Sequence, residues 1–384
     1  MKQPIKIFLI ILIVALIFGG VLWGKSALDD LRSVFRDEDV PALVPTETIA
    51  NDSITIMVTG NLLCDGRYQS RVKDESGIYR FSDTLTYLKP LFAKADLVIG
   101  NLETCVSKSY PLSIKKRKNK DYANAPAAYL EALKNAGVNG LMLSGEHNCD
   151  LGKKGIEETL EAVRSRGFMH TGLYDSRKDR HFCMYEANGI KVAFLSFTDE
   201  FGDNIDKLDY DDQRYMLSSM DVGRIAEDIG DARKAGADYV MVFYNKGTKY
   251  STKIDGSDRE IMELMAEAGA DYVFGSQSYV VRKRGSIKRD SGSVHCQYGM
   301  GNLTGSASDK RRETVLIRIT LKRMDDGKVK ISKRKYIPCY MTKNWNDKHM
   351  VVVPEGVKCR SAKTRETLDG HYANIRRILG LKDK

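Results

Sequence analysis

Six short segments of this 384-residue sequence combine carboxylates, amides and one histidine with the glycines that tight turns require. They are Gly60-Asn61-Leu62-Leu63-Cys64-Asp65, Gly100-Asn101-Leu102-Glu103-Thr104, Ser144-Gly145-Glu146-His147-Asn148-Cys149-Asp150-Leu151-Gly152, Asn245-Lys246-Gly247-Thr248-Lys249-Tyr250, Gly275-Ser276-Gln277-Ser278-Tyr279 and Tyr298-Gly299-Met300-Gly301-Asn302. Glu103, Glu146 and His147, with Asp65 or Asp150 nearby, are residue types that suit a single oxygen-rich divalent-ion site. The plainer alternative is that Glu146 and His147 hydrogen-bond at a helix start, where a carboxylate is favoured. Two carboxylates and a histidine fall short of a two-ion centre, which holds two divalent charges about 3.5–4 Å apart. An amide such as Asn61 supplies an oxygen but no charge, and Asn245 and Gln277 are weak replacements for imidazole. Tyr279 would have to ionise from a free pKa of about 10 to be a good ligand.

Other chemistries lack their residues. There is no GxSxG, Walker loop, CxxC pair or HExxH. His170, His181, His295, His349 and His371 fall outside the six segments and read as surface or packing histidines. The seven cysteines, Cys64, Cys105, Cys149, Cys183, Cys296, Cys339 and Cys359, form no dense framework and read as small buried apolar residues.

The elements that must position the six segments are strands, because polar site residues in α/β folds gather just past strand carboxyl ends. Strand signals run over Ile54 to Thr59, Leu97 to Gly100, Leu141 to Ser144, Tyr239 to Tyr244, Tyr272 to Gly275 and Val294 to Tyr298, each ending at one segment. Between them lie helix signals: Phe81 to Ala95 with Pro90 inside, Ala127 to Ala136 between Pro126 and Gly137, Lys154 to Arg166 before Gly167, Asp221 to Ala235, and Ser257 to Ala268. Asn188-Gly189 marks a two-residue hairpin. Val315 to Leu321 and Val329 to Tyr336 flank the turn Asp325-Asp326-Gly327, so the alternation gives way to a β-rich end. This pattern predicts one α/β domain over residues 53–345, followed by an extension over 346–384.

Ahead of the domain, Ile7 to Trp23 carries no charge, and thirteen of its residues are Ile, Leu, Phe or Val. They contribute on the order of −4 to −8 kcal/mol to membrane insertion. Residues 1–25 are therefore expected to be a cytoplasmic tip and transmembrane anchor, with Lys2 and Lys6 holding the N-terminus in the cytoplasm; the rival reading is a cleaved signal peptide, for which Leu22-Trp23-Gly24-Lys25 offers no clean small-x-small site. Residues 26–52, with Pro41 and Pro45, read as a polar stalk. The net charge is +10, gathered in runs at Lys115–Lys118, Arg282–Arg284, Lys310–Arg312 and Lys333–Lys335. On an exported domain such runs point to an anionic polymer rather than nucleic acid.

The ordered set of six segments resembles the CapA family, named for poly-γ-glutamate capsule biosynthesis, whose members are membrane-anchored, extracytoplasmic and similar to calcineurin-like metallophosphoesterases. The family pattern runs GD, NLE, NNHxxDxG, HWGxEY, GSHPH and slGNF, and the resemblance covers Ile54 to beyond Met341. The departures are specific. The GD aspartate is Asn61 here, NNH is Gly145-Glu146-His147, the HWG histidine is Asn245, and the GSHPH histidines are Gln277 and Tyr279. Asn101, Glu103, His147, Asp150, Gly247 and Asn302 remain.

The resemblance implies a four-layer α/β/β/α metallophosphoesterase-like sandwich behind a single N-terminal transmembrane helix. It implies a vestigial cleft formed by Asn61, Asn101, Glu103, Glu146, His147, Asp150, Asn245, Gln277, Tyr279 and Asn302. The expected role is a non-catalytic subunit, without cofactor, in synthesis, retention or export of an anionic surface polymer such as poly-γ-glutamate. The alternative is a metal-dependent phosphoesterase or hydrolase of envelope polymers, with one divalent ion at Glu103, Glu146 and His147. Expected partners are the polymer, membrane-embedded polymer-synthesis subunits, and lipid through the N-terminal helix. Arg282, Lys283, Arg284, Lys310, Arg311 and Arg312 are the expected polymer contacts, because their runs directly follow the fifth and sixth segments.

Overall fold

Alternating apolar residues make the strands, and their two faces are buried against different partners. A computed structural model describes residues 52–113, 122–289, 292–305, 311–345, 348–359 and 361–382. The expected anchor at Ile7–Trp23, the stalk through Asn51, the run Lys115–Lys118, and Lys310 lie outside the described residues. Among the described residues no helix is long and apolar enough to cross a membrane.

The strands are β1 (Ser53–Val58), β2 (Asn61–Leu62), β3 (Leu97–Asn101), β4 (Gly140–Met142), β5 (Met169–Thr171), β6 (Cys183–Ala187), β7 (Ile190–Thr198), β8 (Tyr239–Asn245), β9 (Tyr272–Gly275), β10 (Arg284–Arg289), β11 (Gly292–Gln297), β12 (Asn302–Thr304), β13 (Glu313–Arg323), β14 (Val329–Trp345) and β15 (Lys348–Pro354). A seven-stranded sheet has the order β15-β14-β13-β1-β3-β4-β5, a six-stranded sheet the order β10-β11-β9-β8-β7-β6, and β12 pairs with β2. β1, β3, β4 and β5 run parallel, as do β7, β8, β9 and β11. Their carboxyl ends therefore carry the polar segments.

The layers follow from which residues share a core. Ile54, Ile56 and Val58 of β1 pack in one cluster with Val192 and Phe194 of β7 and Met241 and Phe243 of β8, so this cluster lies between the sheets. Met57 faces the other way, into a cluster with Tyr129, Leu130 and Leu133 of the helix Ala127–Ala136 and Ile156 and Leu160 of the helix Gly152–Arg164. On the six-stranded sheet, Ala193, Leu195 and Phe197 pack with Ile225 and Ile229 of the helix Val222–Lys234 and Met262 and Met265 of the helix Gly256–Ala268. Strand residues one apart enter different clusters, the period-two rule that gives a helix/sheet/sheet/helix sandwich.

Local chemistry sets the element ends. The helix Ala127–Ala136 starts after Pro126 and stops at Gly137, whose φ of 108° is left-handed. Asn188 and Gly189 have φ of 50° and 69°, as a type I′ turn between β6 and β7 requires. The helix expected over Phe81 to Ala95, bent or broken at Pro90, is two short ones, Phe81–Thr84 and Lys89–Phe92, with the break ahead of Pro90, which sits in the first turn of the second. Residues 346–384 are no appendage among the described residues. β15 pairs with β14, and the helix Ala362–Leu379 buries Leu368, Tyr372, Ile375 and Leu379. All seven cysteines are free, and all but Cys183 are buried.

Candidate functional site

The strand ends bring the six segments together through hydrogen bonds. Asn61 follows β1 and is buried. Its Nδ2 donates to Ser276 O (3.0 Å) and Asn302 Oδ1 (3.1 Å), and its Oδ1 accepts from Asn101 Nδ2 (3.2 Å). Asn245, at the end of β8, donates to Ser276 Oγ at 2.9 Å. An amide network thus links the ends of β1, β3, β8 and β9 with β12.

Beside it sits an ionisable cluster. Glu103, past β3, is fully buried and its Oε1 accepts from the Tyr279 hydroxyl at 2.6 Å. The same hydroxyl lies 3.0 Å from Glu146 Oε2, which also accepts from Gln277 Nε2 at 3.2 Å. Glu146 Oε1 accepts from Lys249 Nζ at 2.6 Å. His147 Nδ1 is 2.8 Å from Asp150 Oδ2, which also receives the Ala123 N–H at 2.7 Å. Tyr279 is held at a φ of 56°, an uncommon conformation for a bulky residue, and so places its hydroxyl between two carboxylates.

Close backbone approach is built in at Gly145. A Cβ there would lie 2.7 Å from Glu103 Cγ and 2.9 Å from Asn148 Oδ1. The Glu103 side chain thus fills space that any larger residue at 145 would claim.

The protonation states follow from these neighbours. Burial pushes the Glu103 carboxyl up to about 7, against the pull of His147 and Tyr279. Burial also opposes ionisation of Glu146, but the Lys249 ammonium and His147 outweigh it and hold the carboxyl below its ordinary value. For His147 burial disfavours the charge, yet Asp150, Glu103 and Glu146 raise it to about 9. At neutral pH the imidazole is therefore a cation, with no lone pair to offer a metal. Burial and the two carboxylates push the Tyr279 phenol well above its ordinary value, so it is a donor and not a phenolate.

A two-ion centre of the kind implied by the family resemblance does not fit these residues. Its ligands would have to be acceptors, and Asn61 Nδ2, Gln277 Nε2, Tyr279 O–H, Lys249 and protonated His147 are donors already directed at the acceptors present. Among the described residues no group of three or more His, Cys, Asp or Glu side chains is placed to hold an ion.

All ten expected cleft residues meet at this end of the sandwich. The expected polymer contacts do not stay together on its rim. Arg282 is 1% exposed and forms a buried ion pair with Asp258 at 2.7 Å, so it is withdrawn from any surface role. Arg312 is also buried, its guanidinium donating to Met341 O at 3.2 Å. Arg284 is half-buried and donates to Leu379 O, and Lys283 is exposed. Arg311 lies 4.0 Å over the ring of Tyr250, which itself faces Tyr279 with centroids 5.8 Å apart. Lys249 was not singled out from the sequence. Its signal was there: the acidic position of the HWGxEY pattern is a lysine in this chain, a reversal that matches the acid gained at Glu146.

Compared with known proteins, the family model described as "Bacterial capsule synthesis protein PGA_cap" matches residues 55–306. The chain is 26% identical over 314 residues to the capsule biosynthesis protein CapA of Bacillus anthracis, covering 80% of this chain and 72% of that protein. It is 23% identical over 341 residues to the PGA biosynthesis protein CapA of Bacillus subtilis (strain 168), covering 86% and 80%. Among solved structures, the calcineurin-like phosphoesterase YfkN from Bacillus subtilis aligns with a TM-score of 0.42 at 12% identity, covering 85% of this chain and 98% of that one.

Proposed function

The chain belongs to the PGA_cap family of bacterial capsule synthesis proteins, and from that premise we propose that it serves the synthesis, retention or export of an anionic surface polymer such as poly-γ-glutamate as a non-catalytic, membrane-anchored subunit. One observation carries the non-catalytic part. The Glu146 carboxylate, the acid best placed to replace a lost ligand, is taken up by Lys249, Gln277 and Tyr279. The anchor part rests on the apolar run Ile7–Trp23, with the polymer and membrane-embedded synthesis subunits as partners.

A second reading, a single-ion hydrolase, has its own observation. The amide oxygens of Asn101, Asn245 and Gln277 are buried with no hydrogen-bond donor among the described residues. Elemental analysis of the gently purified full-length protein, together with a phosphodiesterase assay, tests both. The expected result is no stoichiometric manganese, iron or zinc and no turnover. Two metals per chain with activity would overturn the proposal. One metal, lost in Glu146→Gln or His147→Ala, would establish the single-ion site.

A further inference from the structure

The outer face of the seven-stranded sheet changes character along β13 and β14. Leu316 and Ile337 are cross-strand partners and belong to the helix-covered core. Two residues further along β13, on the same face, Arg318 is opposite Lys335. Beyond it Thr320 is opposite Lys333, and Lys322 is opposite Lys330. Lys322, Lys330, Lys333 and Lys335 are exposed and Arg318 is half-buried. Side chains on one face of an antiparallel pair stand about 5 Å apart across the strands, and about 7 Å apart along them.

Like charges directly opposite one another destabilise a sheet. Elsewhere this chain matches its cations with acids, as in Arg166–Glu131 at 2.9 Å and Arg376–Glu355 at 2.7 Å. Here the matching is partial. Lys330 meets Asp326 at 2.8 Å and Lys322 is 3.8 Å from Asp52, but no carboxylate among the described residues pairs with Arg318, Lys333 or Lys335. The result is a narrow two-strand row of cations, flanked on β1 by the uncharged Thr55 and Ser53.

We propose that this ladder, Arg318, Lys322, Lys330, Lys333 and Lys335, is the docking surface for an extended polycarboxylate chain, laid along the strands with its carboxylates between opposed cations. The inference rests on the reading that the protein handles an anionic polymer. It places the contact on the β13–β14 face rather than at the strand-end cluster. A linear row of charge fits a linear polyanion, each contact is individually weak, and affinity comes from engaging several at once.

The test is retention of the full-length protein on immobilised poly-γ-glutamate across a salt series, with anionic phospholipid vesicles as a second surface. Arg318→Gln, Lys333→Gln and Lys335→Gln together neutralise the unpaired cations. Lys89→Gln, Lys154→Gln and Lys178→Gln together remove equal charge from exposed positions elsewhere. The ladder triple variant is expected to bind the polymer roughly tenfold more weakly at low salt, while the control triple stays within about twofold of wild type. Equal retention of the two triple variants would overturn the ladder and leave the polymer reading standing. A wild-type protein that ignores the polymer would overturn both. Loss of vesicle binding alone in the ladder variant would replace the polymer by a lipid surface and so overturn the proposal.

Discussion

Replacing Glu103 by glutamine keeps the side-chain shape and the oxygen that accepts from Tyr279, and removes only the ability to ionise. In the folded wild type burial raises this carboxyl from an ordinary 4.5 to about 7. A raised acid favours the folded state while it is protonated, and that stability is lost as pH rises from the unfolded value through the folded one. At about 1.4 kcal/mol per unit, the loss is at most about 3.5 kcal/mol, complete by about pH 8. His147, raised to about 9 in part by Glu103 itself, loses its own contribution as pH rises from about 6.5 through about 9, so the part of the difference below about pH 6.5 isolates Glu103. The stability of Glu103→Gln relative to wild type should therefore climb between about pH 5 and about pH 8, and the glutamine protein should be the more stable at the upper end. Urea denaturation midpoints across that range measure it. A difference that stays flat would show that Glu103 does not titrate there. A difference that is flat over that range but falls as pH rises below about pH 5 would show a carboxylate held ionised, as a bound divalent cation would hold it, and would refute the metal-free account of the cluster.

Gly145→Ala should cost about 1–3 kcal/mol by forcing a methyl against Glu103 Cγ, and Glu103→Ala in the same chain should recover much of it; strictly additive losses in urea would count against the clash. Arg282→Met should cost about 3–5 kcal/mol, because it strands Asp258 as a buried charge, and adding Asp258→Ala should cost less than the two single changes summed. A loss below about 1 kcal/mol in Arg282→Met would mean that Asp258 is not stranded. The Ile7–Trp23 segment should persist in the mature chain while protease applied to intact cells removes the domain. Mass spectrometry finding a mature N-terminus near Lys25 would show cleavage instead.

Where neighbours in sequence decide the structure, the sequence was legible. Pro126 and Gly137 bracket a helix, Asn188-Gly189 turns a hairpin, and Tyr272–Gly275 is a fully buried strand. The same holds for the site at the level of placement, since segments that follow strands must meet where the parallel strands end. The helix Ala362–Leu379 has its own signal in the sequence, since Leu368, Tyr372, Ile375 and Leu379 recur at spacings of four, three and four. Arg282 departs from its expected surface role for a different reason. A charged run is ordinarily solvated, and this one is buried because Asp258, 24 residues earlier, neutralises it while also capping the helix Gly256–Ala268. The role of Lys249 has the same origin, since the sign of its charge acquires meaning only beside Glu146, 103 residues away.

That pairing bears on the metal chemistry implied by the family resemblance. Two divalent ions would bring four positive charges to the strand ends. Here Lys249 and protonated His147 bring two, both carried on the chain itself. As a stabilising contact the Lys249–Glu146 pair is modest, since the lysine side chain is 40% exposed and such pairs contribute about 0–1 kcal/mol. Its larger consequence is competitive. A metal would have to displace the ammonium, and it would also have to strip a proton from His147. With that group raised to about 9, deprotonation near neutral pH costs about 3 kcal/mol before any ligand bond forms. The Tyr279 hydroxyl would still point a proton at the carboxylates. The cluster instead joins residues following β3 and β4 of one sheet, Glu103 and Glu146, to residues following β8 and β9 of the other, Lys249 and Tyr279. Donors supplied by the chain thus span the two sheets at this end of the sandwich.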